Sequence, residues 1–333
     1  MKFLNPIVIG AGSWGTALAI FLAKKCPQVH LIGRDEKVAE EINTTHCNSR
    51  YLPKETLPDN LIATTDLNLV KNADLILFVV PTSATRAMAQ TLAQLGVPNH
   101  AVLVSCSKGI ERETDKRMSE IIADSFPENP IAVLSGPNHA EEIAQGLPAA
   151  ATIGCCSQEV GEALQEIFAN ERFRSYTNQD IAGIELGGAI KNVFAIAAGV
   201  AAGLKLGDNA ISALIPRALA EMTRLGSALG GDPETFAGLS GLGDLIATCF
   251  SEHSRNHKVG LEIGRGKTLE QAVADLGMVA EGVPNTRSIY EAARRVDVRT
   301  PIIDVVYAML YQNTPPAEGL DCLYRRTPRQ ECE

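Results

Sequence analysis

The stretch that most constrains this chain lies between residues 7 and 36. Ile7-Val8-Ile9 runs into Gly10-Ala11-Gly12-Ser13-Trp14-Gly15, followed by the helix-like Thr16-Ala17-Leu18-Ala19-Ile20-Phe21-Leu22-Ala23 and a strand-like Val29-His30-Leu31-Ile32. A Gly-x-Gly-x-x-Gly turn by itself is common. Set between a strand and a helix and followed by a second strand, it predicts a βαβ dinucleotide-binding unit. In that unit Gly10 permits the tight turn, Gly12 lets the backbone approach a pyrophosphate, and Gly15 lets helix and strand pack closely. The helix N-terminus then offers its unpaired N–H groups to the phosphates. The tip of the second strand bears on the cofactor, because an acidic residue there holds a ribose 2′-hydroxyl and a basic one receives a 2′-phosphate. Here Arg34 comes first and Asp35 next. Arg34 suits NADP, or stacks on adenine, and Asp35 suits a helix N-cap. The reading is NAD or NADP, leaning to NADP.

Further strands are expected over 75–80, 101–105 and 131–134, with helices over 84–95 and 114–125 between them. Near-continuous apolar strands alternating with helices predict a doubly wound parallel sheet. Two loops after such strands carry unusual chemistry: Ser105-Cys106-Ser107-Lys108-Gly109-Ile110-Glu111 and Ser135-Gly136-Pro137-Asn138-His139-Ala140. Ligands in open α/β sheets bind beyond the carboxyl ends of the strands, so Lys108 and the 135–140 loop are placed for substrate. Taken alone, Lys108 reads equally as a solvated loop lysine.

Beyond about residue 185 strands fade and helical patterns follow, over 186–204, 209–229, 233–247, 255–264, 268–276, 284–295 and 302–312. This predicts a dinucleotide-binding domain over 1–184 and a mostly helical domain over 185–333. The second opens with a long small-residue segment, 185–209, carrying a cation, Lys191, near its start. Its apolar run over 193–204 is too short to span a bilayer and reads as a core helix. An ammonium beside such a core must be paired or must snorkel out, and burial lowers its pKa. Further on, Ser254-Arg255-Asn256 opens a helix. A planar guanidinium, two neutral polar groups and a helix N-terminus make a plausible anion grip, and equally an ordinary N-cap with polar neighbours.

A net charge of −9 argues against a general nucleic-acid or membrane-surface binder. The eight cysteines lack any Cys-x-x-Cys, which fits reduced thiols in cytosol. The N-terminus has no secretory-signal pattern. Three motifs are declined. Gly264-Arg265-Gly266-Lys267-Thr268 has Leu261 where a P-loop needs its leading glycine, and His253 and His257 have no third metal ligand in view. Cys155-Cys156 reads as a buried strand residue beside an exposed one. Residues 52–58 read as a loop and 327–333 as a polar tail.

Taken together, the motifs resemble the bacterial-type NAD(P)-dependent glycerol-3-phosphate dehydrogenases over essentially the whole chain. The matching stretches are 10–19, 107–111, 185–193, 241–245, 254–256 and 279–283, in this order. The resemblance implies reversible hydride transfer between NAD(P)H and dihydroxyacetone phosphate, giving sn-glycerol 3-phosphate for glycerophospholipid synthesis in the cytoplasm. It implies Lys191 as the catalytic acid/base, with Lys108, Gly136, Asn138, Asp244, Ser254, Arg255 and Asn256 around substrate. The cofactor-binding positions it implies are Gly10, Gly12, Ser13, Trp14, Gly15, Arg34, Lys108, Ala140, Arg255, Val279 and Glu281. No metal is implied, and a homodimer is expected. The family usually reads Gly-Pro-Ser/Thr-Phe-Ala where this chain has Gly136-Pro137-Asn138-His139-Ala140, and Phe250 stands for a usual small hydroxyl residue. Two other readings are a 3-hydroxy-acid or sugar-acid dehydrogenase on the same two-domain plan, and a non-catalytic dinucleotide sensor.

Overall fold

The computed structural model describes residues 2–277, 279–328 and 330; part of the expected 327–333 tail lies outside them. The first half runs β1 (Pro6–Ile9), α1 (Ser13–Ala23), β2 (Val29–Ile32), α2 (Glu36–Thr45), β3 (Leu61–Thr64), β4 (Leu75–Phe78) and α3 (Thr85–Leu95). It continues with β5 (Val102–Ser105), α4 (Met118–Ser125), β6 (Ile131–Ser135), α5 (Ala140–Ala144), β7 (Ala149–Cys155), α6 (Gln158–Ile167) and β8 (Phe173–Asn178). The eight strands form one sheet in the order β3-β2-β1-β4-β5-β6-β7-β8. From β3 through β6 every pair is parallel, but β7 runs antiparallel to β6 and pairs in parallel with β8. The sheet is therefore parallel except where its last two strands reverse.

The central strands β1 and β4 are apolar at every position because both faces are covered. Val8, Leu77 and Val104 pack into one core layer, while Ile7, Ile9, Phe78 and Leu103 pack into the layer on the opposite face. Strand β8, at the sheet edge, instead alternates buried and exposed residues over Phe173–Tyr176.

The order reverses between β1 and β4, which is the switch point where an open α/β sheet binds its ligand. The Gly-rich turn occupies it. Gly10 has φ +119°, and a Cβ there would lie 2.4 Å from the Val79 carbonyl oxygen. A Cβ on Gly15 would overlap the Gly10 carbonyl at 1.8 Å, so both positions exclude any side chain.

The second half is helical: α7 (Ile181–Gly203), α8 (Asp208–Ala228), α9 (Pro233–Phe236), a π-turn at Leu239–Gly243, α10 (Asp244–Phe250) and α11 (Arg255–Gly264). Helices α12 (Leu269–Leu276), α13 (Gly282–Arg295), α14 (Pro301–Tyr311) and α15 (Pro316–Tyr324) complete it. Helix α7 begins at Ile181, capped by Asp180, whose carboxylate accepts the Gly183 N–H at 2.8 Å. It is the one helix among the described residues long and apolar enough to cross a membrane, and 78% of its most apolar window is buried by the rest of the fold. It is the core helix of this half, with α8, α10, α11 and α13 packed around it.

Helix α11 meets α7 through two glycine pairs. A Cβ on Gly199 would lie 2.1 Å from the His257 carbonyl, and one on Gly260 would lie 2.1 Å from that of Ile196. One turn further, Gly203 and Gly264 meet backbone in the same way. With no side chains between them the two backbones touch, which fixes α11 against the last two turns of α7.

Candidate functional site

Lys191 lies in the third turn of α7 and is 6% exposed. Its Nζ donates to Asp244 Oδ1 at 2.9 Å and to Thr248 Oγ1 at 2.5 Å. Both acceptors sit one turn apart on α10, so one helix face presents them together. The other carboxylate oxygen of Asp244 accepts Lys108 Nζ at 2.5 Å, and Lys108 also donates to the Gly136 carbonyl at 2.9 Å. Asp244 is 2% exposed. A buried carboxylate thus lies between two ammoniums supplied by the loop after β5 and by α7. Gly188 is what lets the Lys108 stem lie along α7, since a Cβ there would meet Ser135 Oγ at 2.8 Å and the Lys108 Cγ at 3.3 Å.

This placement sets the charges. Burial pulls the Lys191 ammonium from 10.5 down to about 8; Asp244 opposes the shift and Lys108 adds to it. For Asp244, burial pushes the carboxyl up, but the two ammoniums more than offset that and hold it below its ordinary value. At neutral pH the cluster carries two cations and one anion, an excess of one positive charge suited to a developing oxyanion or a phosphate ester. Lys191 titrates near enough to neutrality to exchange a proton in either direction.

The 135–140 loop closes one side. Gly136 has φ +145°, and a Cβ there would meet Ala150 O and Ala151 Cα at 3.0 Å. The Asn138 amide points its nitrogen at Pro137 O (3.3 Å) and Ala150 O (3.2 Å). His139 caps α5, and its Nε2 lies 3.3 Å from the Ala247 carbonyl, joining the nucleotide half to α10. Burial lowers its pKa, so the ring is a neutral donor to that carbonyl. The ring also lies 5.9 Å from that of His253. Ala140 opens α5 and is buried.

Ser254 caps α11, its Oγ accepting the His257 N–H at 3.1 Å. Arg255 follows with an exposed guanidinium. Asn256 is buried and largely engaged: Oδ1 accepts the Gly282 N–H at 2.9 Å and Nδ2 donates to Asn192 Oδ1 at 2.9 Å. One amide hydrogen of Asn256 is left beyond the bond to Asn192. Glu281, just before α13, accepts Thr82 Oγ1 at 2.9 Å, and burial raises its carboxyl pKa against the effects of Thr82 and Arg255. Val279 is exposed nearby.

The Gly-rich turn is open on one side. A Cβ on Gly12 would meet nothing within 4 Å, so the turn faces open space where Gly10 and Gly15 face backbone. No side chain caps α1 and no acidic residue occupies its first turn, which leaves the positive end of the helix free for an anion. Ser13 Oγ donates to Tyr51 O at 3.1 Å, and Trp14 packs against the sheet core. Arg34 is exposed at the tip of β2, while Asp35 is occupied in capping α2, accepting the Lys37 N–H at 3.0 Å. At the tip of β2 the carboxylate is thus engaged in a cap while the guanidinium is exposed.

Thr248, Asn192, Thr82 and Asn285 belong to this constellation and were not singled out from sequence. Thr248 carried a signal, since it lies four residues after Asp244 on one helix face. Of the declined motifs, His253 and His257 border it, through the His139 ring and the Ser254 cap. Lys267 is paired with Glu262 and Asp275, Cys155 is buried beside an exposed Cys156, and no group of three His, Cys, Asp or Glu suited to a metal occurs among the described residues.

A switch-point dinucleotide turn, joined to a helical unit that buries a titratable lysine beside it, defines an NAD(P)-dependent oxidoreductase. The chain matches the N-terminal model of NAD-dependent glycerol-3-phosphate dehydrogenase over residues 7–161 and the C-terminal model over 180–321. It is 46% identical to the glycerol-3-phosphate dehydrogenase [NAD(P)+] of Carboxydothermus hydrogenoformans, over 99% of both chains. Among solved structures it is similar to the glycerol-3-phosphate dehydrogenase of Coxiella burnetii, with TM-score 0.93 and 36% identity over 98% of this chain and 99% of that one. The yeast Saccharomyces cerevisiae enzyme gives 0.84 and 30% over 97% and 99%. The chain belongs to the NAD-dependent glycerol-3-phosphate dehydrogenase family.

Proposed function

We propose that this chain interconverts dihydroxyacetone phosphate and sn-glycerol 3-phosphate, with Lys191 as the group that gives and takes the proton. The supporting observation is the buried Lys191–Asp244–Lys108 cluster, held at the carboxyl ends of β5 and β6 beside the dinucleotide turn. When bound, the dinucleotide supplies the hydride to C2 in reduction and accepts it in oxidation. As C2 gains that hydride its carbonyl oxygen becomes anionic, and protonated Lys191 stabilises the charge and then donates its proton. In the reverse direction neutral Lys191 accepts the hydroxyl proton. Asp244 orients Lys191 and offsets part of its desolvation. Lys108 adds the second cation, and its bond to Gly136 places it against the 136–138 loop.

Arg255, with Ser254 and the remaining Asn256 amide hydrogen, faces the substrate phosphate in this reading. Gly10, Gly12, Ser13, Trp14 and Gly15 hold the pyrophosphate end of the cofactor, and Arg34 receives the 2′-phosphate of NADP. Ala140, Val279 and Glu281 line the cofactor side, and Lys108 and Arg255 reach both ligands. In this reading the units divide near residues 184 and 185, one turn into α7. The product, a phosphorylated glycerol backbone, suits glycerophospholipid synthesis, and we read the protein as a cytoplasmic homodimer.

The test is oxidation of NADPH and of NADH at equal concentration, with dihydroxyacetone phosphate against acetoacetyl and oxaloacetate substrates. Turnover confined to dihydroxyacetone phosphate is the expected result. Equal turnover of the carboxylate substrates would assign the anion site to another substrate class, and dinucleotide binding without turnover would leave a sensor.

A further inference from the structure

We infer that Asn285 is a positioning residue that spaces the two active-site lysines, although it touches neither. Asn285 lies in the first turn of α13 and is 3% exposed. Its Oδ1 accepts the Ile110 N–H at 3.4 Å, two residues after Lys108. Its Nδ2 donates to the Ala189 carbonyl at 2.7 Å, two residues before Lys191. One amide therefore bridges the loop that carries the first lysine and the helix that carries the second. A carboxamide can do this because it offers a donor and an acceptor from one planar group. A Cβ on Gly109 would lie 2.6 Å from Thr82 Cγ2 and 3.3 Å from Asn285 Oδ1, so the loop lies flush against both.

The same turn of α13 makes two further ties. Glu281 accepts from Thr82 at the nucleotide side, and the Gly282 N–H donates to Asn256, which in turn bonds Asn192 beside Lys191. Other anchors of the loop are Ser107 Oγ, which donates to the Val80 carbonyl at 2.6 Å, and the ion pairs Arg86–Glu111, Arg112–Glu291 and Arg295–Asp115, which lie nearer the surface. Those two-pronged pairs hold residues 111–115, whereas Asn285 ties the segment next to Lys108 to α7, and a buried amide that loses its partners leaves unsatisfied polar groups.

The consequence is chemical. Lys191 is faced by Asp244 and Cys249 from α10, by Lys108 from the loop after β5, and by His139 from the 135–140 loop. Asp244 and Cys249 favour its charged form, while burial and Lys108 disfavour it. Freeing the loop lets Lys108 move away, which removes the nearby cation and sends the Lys191 pKa upward.

The inference rests on the proposed acid/base role of Lys191 only for its kinetic readout. The test therefore follows Lys191 directly, by pH-dependent competitive acetylation read by mass spectrometry, alongside the pH profile of turnover in Asn285→Ala, Asn285→Ser and Asn285→Asp. Ile303→Val, a core change on the neighbouring α14, is the control for general loosening. The expected result is an acetylation midpoint and a reduction limb both raised by half a pH unit or more in Asn285→Ala, with NADPH affinity within two-fold of the parent. Asn285→Asp keeps the acceptor for Ile110 and loses the donor to Ala189, but its carboxylate itself raises the Lys191 pKa; Asn285→Ser, neutral and too short for the bridge, gives the same direction of shift if Asn285→Ala does not fold. Midpoints unchanged from the parent, with turnover reduced only as much as in Ile303→Val, would overturn the inference. A shifted acetylation midpoint with an unshifted limb would uphold the spacing and count instead against Lys191 as the proton donor.

Discussion

Asp244→Asn is the most informative single change, because it leaves the shape of the cluster and removes its anion. In the parent protein Lys191 titrates at about 8 with Asp244 holding it up and Lys108 pulling it down. With Lys191 as the proposed proton donor, ketone reduction needs it protonated, so the rate is full below that value and is lost as pH rises through it. Oxidation needs it neutral and rises through the same value. A carboxylate within bonding distance of an ammonium raises that ammonium's pKa by about 1–3 units. Neutralising it at 2.9 Å, with Lys108 still beside it, therefore moves the reduction limb down by about that amount. For a two-unit drop the protonated fraction at pH 8 falls from about one half to about one hundredth, a loss of about fifty-fold, whereas at pH 6 the loss from this cause is only about two-fold. The assay is the pH dependence of kcat/KM for NADPH-linked reduction of dihydroxyacetone phosphate, with NADPH affinity measured at both ends. A variant whose limb stays near pH 8, at any absolute rate, would refute the charge balance argued here.

Other outcomes follow from the same geometry. Arg34→Ala should raise KM for NADPH about ten-fold or more and leave NADH nearly untouched, since one anion-binding fork is lost; parallel changes in both would remove Arg34 from the 2′-phosphate. Thr248→Val removes an acceptor 2.5 Å from Lys191 and should cost about 1–3 kcal/mol as an unsatisfied ammonium N–H, seen as a ten-fold or greater fall in kcat with NADPH affinity unchanged. Gly260→Leu drives a side chain into the backbone of α7, where a Cβ alone would lie 2.1 Å from Ile196 O, and should abolish soluble folded protein; a normal thermal transition in that variant would contradict the packing of α7 on α11.

How much of this was legible in the sequence follows from which interactions are local. The Gly-rich turn was readable because each glycine answers a constraint within the same βαβ unit, and Asp35 as a cap because its acceptor lies two residues on. Strands β7 and β8 escaped notice because Ala149-Ala150-Ala151 is small and Arg174 and Tyr176 are polar-edged and exposed, so neither run shows a continuous apolar face. The stretch read as one helix over 233–247 is instead α9, a π-turn and α10. Its break follows from Gly241, where a Cβ would lie 2.0 Å from the Phe236 carbonyl, a contact made by folding the segment back on itself. That fold-back aims Asp244 at Lys191. Helix α15 was missed outright. Lys191 could be suspected from a lone cation in an apolar segment, but its partners Asp244, Thr248 and Lys108 lie 53, 57 and 83 positions away, and pattern reading has no access to such distances. Asn256 shows the opposite limit: its residue type suggested an anion grip, while its amide is mostly committed to Asn192 and Gly282.

The central claim is that Lys191 moves the proton, and single-turnover reduction by Lys191→Met tests it most directly. NADPH binding, followed by fluorescence, should stay within a few-fold of the parent, since the bonds of Lys191 go to Asp244 and Thr248 on α10 and not to the Gly-rich turn. The burst of NADPH oxidation on mixing with dihydroxyacetone phosphate should slow by about 100-fold or more, the usual contribution of a positioned acid. A burst within a few-fold of the parent rate, at saturating dihydroxyacetone phosphate, would contradict the account.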